Sequence, residues 1–422
     1  MVKKHIIISV AGFIVLAPLL LLHAPGGMAP PSLAAAEGFS SREMNGLIDR
    51  LMEETDGVKR QELVKLLRAY PEDEVGTRWL DLLDGAVRVS TTVRVIDGMA
   101  EFADRRFVPP LARLLVSPHY AIRKSAARTL KKTGDDRLYP VILGMVNSSN
   151  PVHRIYFIEA MNYLYDRRFY QSLTGLLRDD NKSIRIYVIN CLKENRITES
   201  LGYIRAAAMN DGNDEVRIAA IEAIGDLRDG IGLGVLHATL NDENRDVRCE
   251  SVRSIGRINS FASVNALSLR MAQEDENEIK ELILDILAGL GRVGDVRGIE
   301  RVLRTDAQQG LRIKAAHVLG FSASPLALAA LRDGIGDTDF RVRAEVCNSL
   351  GNFRNRQSLA VLLDVLGKED HVYVKSAALY SIRRINDRKS LVELFDFYTE
   401  EKDPIFRELL RTTIREYIGR YI

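Results

Sequence analysis

Five histidines follow residue 36, at His119, His153, His237, His317 and His371, and each stands in a different stretch of the chain. Metal chemistry on a helix wants two histidines four apart with a glutamate beside the first, and phosphate binding wants a glycine loop closed by Lys-Ser or Lys-Thr. Neither pattern occurs. No HxxxH pair is present and no histidine precedes a glutamate, while Gly230, Gly232 and Gly234 are a spaced cluster with no strand expected before it. We read that cluster as a loosened turn. There is also no GxSxG and no CxxC, so neither the acyl-transfer elbow nor the paired-thiol chemistry is expected. Carboxylates are abundant, but their even spacing points to helix caps and ion pairs rather than to an isolated acid/base couple. Nothing in these motifs implies a metal or a cofactor.

The elements that carry these residues repeat. Taking Val216 of the segment VRIAAIEAIG as position zero, equivalent starts fall at Val58, Thr91, Ile122, His153, Ile184, Val216, Val247, Ile279, Leu311, Val342, Val374 and Phe406, spaced 31 to 33 residues apart. These define repeats 1 to 12. Offset 8 is always large and apolar, from Leu66 and Met99 to Ile382 and Ile414, and offset 7 is mostly small. Wound at roughly 100° per residue, offsets 0, 4, 5, 7 and 8 fill one arc, as a core-facing helix requires. Offsets 2 and 6 point the other way. A period in this range marks a solenoid of helical hairpins, none of which buries its apolar face alone.

A basic residue recurs at offset 1, including Arg123, Arg154, Arg185, Arg217, Arg248, Lys280, Arg312, Arg343, Lys375 and Arg407. That offset lies inside the apolar arc, where an unpaired charge costs roughly several kcal/mol. Partners are at hand. Five residues before the starts stand Asp179, Asp211, Asp242, Glu274, Asp306, Asp337, Glu369 and Glu401, and three before stand Asn150, Asn181, Asn213, Asn244, Asp339 and Asp403. The nearer column is expected to cap the second helix of each hairpin. The farther column should supply carboxylates to the cations, a structural ladder rather than a ligand site.

This pattern of acid turn, Val-Arg, small residues and Leu-Gly, seen at 337–351, 211–225 and 242–256, resembles HEAT repeats, in particular the short type found in phycobilin lyases. The similarity covers about residues 90 to 420 well and 41 to 90 weakly. It implies an all-α, right-handed α-solenoid (an α/α superhelix) of about eleven to twelve helical hairpins, with the second helix of each pair on the concave side. The His-Glu dipeptides that hold iron in the HEAT-repeat deoxyhypusine hydroxylases are missing. That activity therefore does not carry over.

Residues 1–36 open with Lys3 and Lys4, continue through an apolar run over 6–22, and end in Ala34-Ala35-Ala36. This order describes a signal peptide, or an uncleaved N-terminal membrane anchor if the run is retained. Either way the expectation is export, to the periplasm or beyond, with a possible tether to the inner membrane. Residues 37–90 read as an N-terminal helical cap and 91–422 as the repeat array. Lys65 at offset 7 and Arg411 at offset 5 put polar residues on interface columns near the two ends, as capping repeats do, so the solenoid is expected to be complete. Removing the leader lowers Lys plus Arg from 59 to 57 against 57 Asp plus Glu. Near-zero charge argues against nucleic acid, which wants a clear basic excess.

The three cysteines, Cys191, Cys249 and Cys347, stand in different repeats, too far apart to meet the ~6 Å a disulfide needs. Cys191 and Cys347 fall in core columns, and Cys249, at an outward offset, should be more exposed. His153 takes an aliphatic position and reads as a satisfied core histidine.

What breaks the period points to function. At outward offsets 2 and 3, two adjacent repeats carry Ile155-Tyr156 and Ile186-Tyr187, and the next adds Ile218. Glu159, Asn190 and Glu222 at offset 6 would edge them. Exposed apolar and aromatic clusters rimmed by polar groups are what protein-binding hot spots look like; alternatively, irregular packing buries these side chains. The leading expectation is an exported, non-catalytic scaffold or adaptor that binds a protein or peptide partner through the concave face of the solenoid, with no cofactor. The alternatives are a lyase-type enzyme using the concave groove and a membrane-tethered part of an envelope complex.

Overall fold

The computed structural model describes residues 40–164 and 166–421. Every regular element among them is a helix, and the described residues divide into two compact units, one up to Arg78 and one from Trp79 on.

In the first unit the helices Ser41–Glu53 and Gly57–Leu67 form one hairpin. Met44, Ile48 and Leu51 on one helix and Leu63, Val64 and Leu67 on the other are buried. Here the expected register is one residue early. Val58 is 71% exposed and Leu66 36%, whereas a start at Lys59 places Leu63, Val64 and Leu67 at offsets 4, 5 and 8. The same shift brings the cap, acid and basic columns into line, although it leaves the exposed Lys59 at offset 0. Asp56 then stands at the cap position, its Oδ1 accepting from the Val58 and Lys59 amides. Glu54 stands on the acid column, accepting from the Asp56 amide at 2.8 Å. Arg60 falls on the basic column and donates to the carbonyls of Leu51 and Glu54.

The second unit begins within the Glu72–Asp84 helix and continues as an α-solenoid. Its second helices are Val89–Met99, Tyr120–Thr133, Pro151–Leu164, Lys182–Glu194, Asp214–Asp226, Arg245–Ile258, Asn277–Leu290, Gln309–Leu319, Phe340–Phe353, Val372–Ile385 and Pro404–Tyr421. Consecutive members of this series pack on one another. Offset 8 is buried in all of these, from Met99 at 0% to Ile414 at 4% exposed. Several of these helices end in a residue of positive φ, such as Gly134, Asn259, Gly291 or Asn386, which closes the last turn and redirects the chain. In several repeats an aspartate next starts the following hairpin. The Asp104 carboxylate accepts from the Arg106 amide at 2.8 Å and the Asp166 carboxylate from the Arg168 amide at 2.9 Å, so the twin Asp-Arg-Arg-Phe turns are caps, with Phe107 and Phe169 buried behind them.

Some adjacent second helices approach closely because a glycine at offset 9 faces a serine at offset 7 of the next one. A Cβ on Gly225 would lie 2.5 Å from the Ser254 Oγ, and one on Gly351 would lie 2.8 Å from the Ser381 Oγ. The Ser254 hydroxyl donates 3.0 Å to the Ile221 carbonyl of the preceding helix. That bond spans the interface.

The basic column forms the expected ladder, and its rungs run between repeats. Arg154 binds Asp179, Arg185 binds Asp211, Arg217 binds Asp242 and Arg248 binds Glu274. Lys280 binds Asp306, Arg312 binds Asp337, Arg343 binds Glu369 and Lys375 binds Glu401. In each rung the cation belongs to one second helix and the carboxylate to the turn before the next. No rung side chain is more than 18% exposed. Most of the arginines also donate, at 2.7 to 3.1 Å, to a carbonyl in their own turn. The acids accept the amide two residues on at 2.8 to 3.0 Å. Each charge thus meets its partner and local backbone together, the condition under which a desolvated pair holds rather than harms. The nearer column caps as expected: Asn181 accepts from Ser183, Asn213 from Glu215 and Asp339 from Arg341.

Two measurements test the ladder. Asp337→Ala strands Arg312 and is expected to cost about 3 kcal/mol, whereas Arg312→Met with Asp337→Leu costs much less; urea unfolding of the three proteins checks the order. The Arg343 guanidinium holds Glu369 below its ordinary value of 4.5. Because the folded carboxyl is the more acidic one, this rung stabilises fully above its unfolded value and is lost as pH falls through the folded one. Glu369→Gln should therefore flatten the loss of melting temperature as the pH is lowered below about 4.5.

Candidate functional site

The second helices of repeats 4, 5 and 6 bring the expected patch residues to neighbouring positions. Tyr187 is 45% exposed. Ile155, Ile186 and Ile218 are half-buried, as are the polar residues Glu159, Asn190 and Glu222. Glu222 receives Lys193 Nζ at 2.9 Å. Tyr156 differs from its neighbour: it is half-buried, and the Arg123 guanidinium lies 3.9 Å from its ring centroid.

Arg123 explains that difference. The next turn offers Ser148 where later turns offer an acid, so the ladder has no carboxylate for it there. Arg123 turns instead to Glu159, with Nε to Oε2 at 2.8 Å, and keeps its own-turn carbonyl, Ser117, at 2.8 Å. A patch residue is thereby drawn into the structural ladder. Its ion pair lies beside two tyrosines absent from the expected patch, Tyr120 and Tyr163, whose hydroxyls are 2.9 Å apart. Tyr120 is 50% exposed. Burial, with the Tyr120 hydrogen bond, pushes the Tyr163 hydroxyl up to about 12. Lys124 and Arg128 sit over the same rings, 6.0 and 5.2 Å from the Tyr163 centroid. Tyr120 lies two residues before its start and Tyr163 ten after, outside the offset window from 0 to 8. Carrying the helical winding past offset 8 would have found Tyr163.

The other sequence-level candidates resolve as structure. Cys249 is a correction: it is buried, 4% exposed, with its Sγ 3.7 Å from Glu278 Oε1, because the neighbouring repeat covers an offset that faces outward on an isolated helix. Burial raises its thiol and pushes the Cys191 and Cys347 thiols up to about 12. All three are free. His153 Nδ1 meets Ser148 Oγ at 3.2 Å. Gly232 is required by space, since a Cβ there would lie 2.6 Å from Ile224 Cγ2. Among the described residues no group of three or more His, Cys, Asp or Glu side chains is placed to hold a metal ion. The crevice between Tyr120, Arg123, Tyr156, Glu159 and Tyr163 is closed to a water-sized sphere.

The HEAT repeats family matches residues 76–162, 203–288, 296–383 and 334–414. The chain is a HEAT-repeat protein. No curated protein matches this HEAT-repeat chain. Among solved structures it is similar to Kap121p bound to RanGTP, with a TM-score of 0.54 and 13% identity over 89% of this chain and 48% of that one. It is also similar to the karyopherin Kap121p bound to the extreme C-terminus of the protein phosphatase Cdc14p, at 0.50 and 15% over 89% and 49%. The HEAT-repeat chain thus spans about half the length of the solved structures it matches. At this identity they establish the solenoid fold.

The expected placement, exported and periplasmic or secreted with a possible tether to the inner membrane, is corrected. Solved structures that share the fold include the karyopherin Kap121p, and no helix among the described residues is long and apolar enough to cross a membrane. The apolar run over 6–22 that prompted the expectation lies outside the described residues.

The two patch tyrosines should separate experimentally. Tyr187→Ser is expected to leave the urea midpoint unchanged, whereas Tyr156→Ser removes a face from the Arg123 guanidinium and costs about 0.5–2 kcal/mol. Equal effects would contradict the assignment.

Proposed function

We propose that this HEAT-repeat chain is a non-catalytic scaffold or adaptor that binds a protein or peptide through the outward face of the second helices of repeats 4 to 6. The observation that carries the reading is Tyr187, a large aromatic 45% exposed, on a helix whose neighbours present the half-buried Ile155 and Ile218. An aromatic anchor beside partly covered aliphatic side chains and a polar rim is the composition at which binding energy concentrates. Glu159, Asn190 and Glu222 are that rim. The same solenoid fold in Kap121p is bound to RanGTP and to a C-terminal segment of Cdc14p; those partners are Kap121p's own, and what carries over is a rigid repeat surface suited to protein recognition. Residues 37–90 act in this reading as a helical cap and 91–422 as the binding array. Binding by such a surface needs no reacting group, in keeping with the structural roles found for the cysteines, His153 and Gly232.

A photo-crosslinker placed at Tyr187 tests this. Tyr187→p-benzoylphenylalanine in the full chain, irradiated in its own cells, should give one or a few discrete protein adducts. The same change at Val392, which is 68% exposed on another helix, should not give them. Identical adducts from both positions would overturn the site.

A further inference from the structure

The second helix of repeat 3, Tyr120–Thr133, carries Arg123, Lys124, Arg128, Lys131 and Lys132 and no acid. Arg123 is spent on Glu159. The other four occupy offsets 2, 6, 9 and 10, which fall within roughly 100° of arc on a helix of 3.6 residues per turn. None of them has an ion-pair partner among the described residues; Lys124 and Arg128 meet only tyrosine rings. Arg128, Lys131 and Lys132 are exposed. Several cations on other second helices are matched: Lys193 by Glu222, Arg253 by Glu278 and Lys314 by Glu281 and Asp285. Like charges three and four residues apart on one helix repel. The quartet is therefore a local excess of positive charge that the fold leaves unneutralised.

It adjoins the proposed binding face. Tyr163, on the second helix of repeat 4, hydrogen-bonds Tyr120 and lies under Lys124 and Arg128, and the same helix presents Ile155. Tyr187 follows on repeat 5. The surface thus runs from cationic to apolar over three repeats.

Resting on the function proposed above, we infer that the partner segment is an extended peptide with a short run of Asp or Glu seated on Lys124, Arg128, Lys131 and Lys132, and a large apolar or aromatic anchor beside Tyr187. Packed helices stand about 8–10 Å apart, so two steps from repeat 3 to repeat 5 span roughly 16–20 Å. An extended chain rises about 3.3 Å per residue, which puts the acids about five or six residues from the anchor. Charge complementarity selects an acidic occupant, and the apolar continuation selects a peptide over a nucleic acid: a polyanion would need further cations where Ile155, Ile186 and Tyr187 stand.

The test is fluorescence anisotropy of the full chain with labelled peptides in which four acids are joined through a neutral spacer of about five residues to Trp-Leu, in either chain order. Controls carry Gln for the acids, and an oligo(dT) strand of similar length serves as the nucleic-acid probe. At about 0.1 M salt, where screening reaches over ~10 Å, the better acidic peptide should bind at least about tenfold more tightly than its Gln form. High salt should erase that advantage. Lys124→Glu with Arg128→Glu should abolish it, as should the milder Lys124→Gln with Arg128→Gln, while Tyr187→Ser should weaken the acidic and Gln peptides alike. Equal binding of the acidic and Gln forms overturns the acidic partner while leaving the scaffold reading standing. Tighter binding of oligo(dT) overturns it in favour of nucleic acid. Absence of binding by every peptide, with discrete adducts still formed at Tyr187, overturns the inference and spares the function it rests on.

Discussion

One ion pair, made between repeats rather than within them, governs the array. A cation placed inside an apolar arc has to be satisfied or removed, and here it is satisfied by the carboxylate of the following turn, as in Arg217 with Asp242 or Arg312 with Asp337. That carboxylate also orders its own turn by accepting a backbone amide two residues on. Turn shape, helix start and the stacking of neighbouring hairpins are consequently fixed by the same atoms. Buried pairs contribute little net stability against apolar replacements, and their more general use is to specify one arrangement over others. In this chain the specified quantity is the register of each hairpin on the next.

The small residues act with the rungs. Glycine at offset 9 meets serine at offset 7 of the next repeat, as Gly225 does with Ser254 and Gly351 with Ser381, so the helices come close on the side where a branched residue would hold them apart. Where the turn lacks an acid, the design changes. Arg123 reaches to Glu159 on the next helix, and tyrosines fill the surrounding surface. The candidate site therefore stands at the one place among the described repeats where an arginine rung runs helix to helix.

Much of this was legible in the residue pattern because it depends on periodicity. The hairpins, the caps at Asn181 and Asn213 and the identity of the acid column follow from spacing alone. The sense of each rung did not, since a column of acids and a column of cations do not reveal whether they join within a repeat or across two. Register failed at the first hairpin because Val58 offers an attractive apolar start, while the burial of Leu67 and the Asp56 cap fix the start at Lys59. Exposure was least readable. Cys249 faces outward on its own helix yet is covered by the neighbouring repeat, and Tyr156 shares an offset with Tyr187 but lies under a guanidinium. The placement outside the cell membrane was drawn from the leader alone and was not upheld.

Because the two halves of every regular rung come from successive copies of one motif, the array is closed under removal or duplication of whole copies. Excising residues 211–241 would carry away Asp211 together with Arg217 and present Asp242 to Arg185, one matched couple replacing two. No rung of the ladder would be left half-made at the splice. Length in such a chain is free to drift in steps of one motif through unequal exchange of its coding sequence, whereas a gain or loss of a few residues within a motif would break a couple on each side.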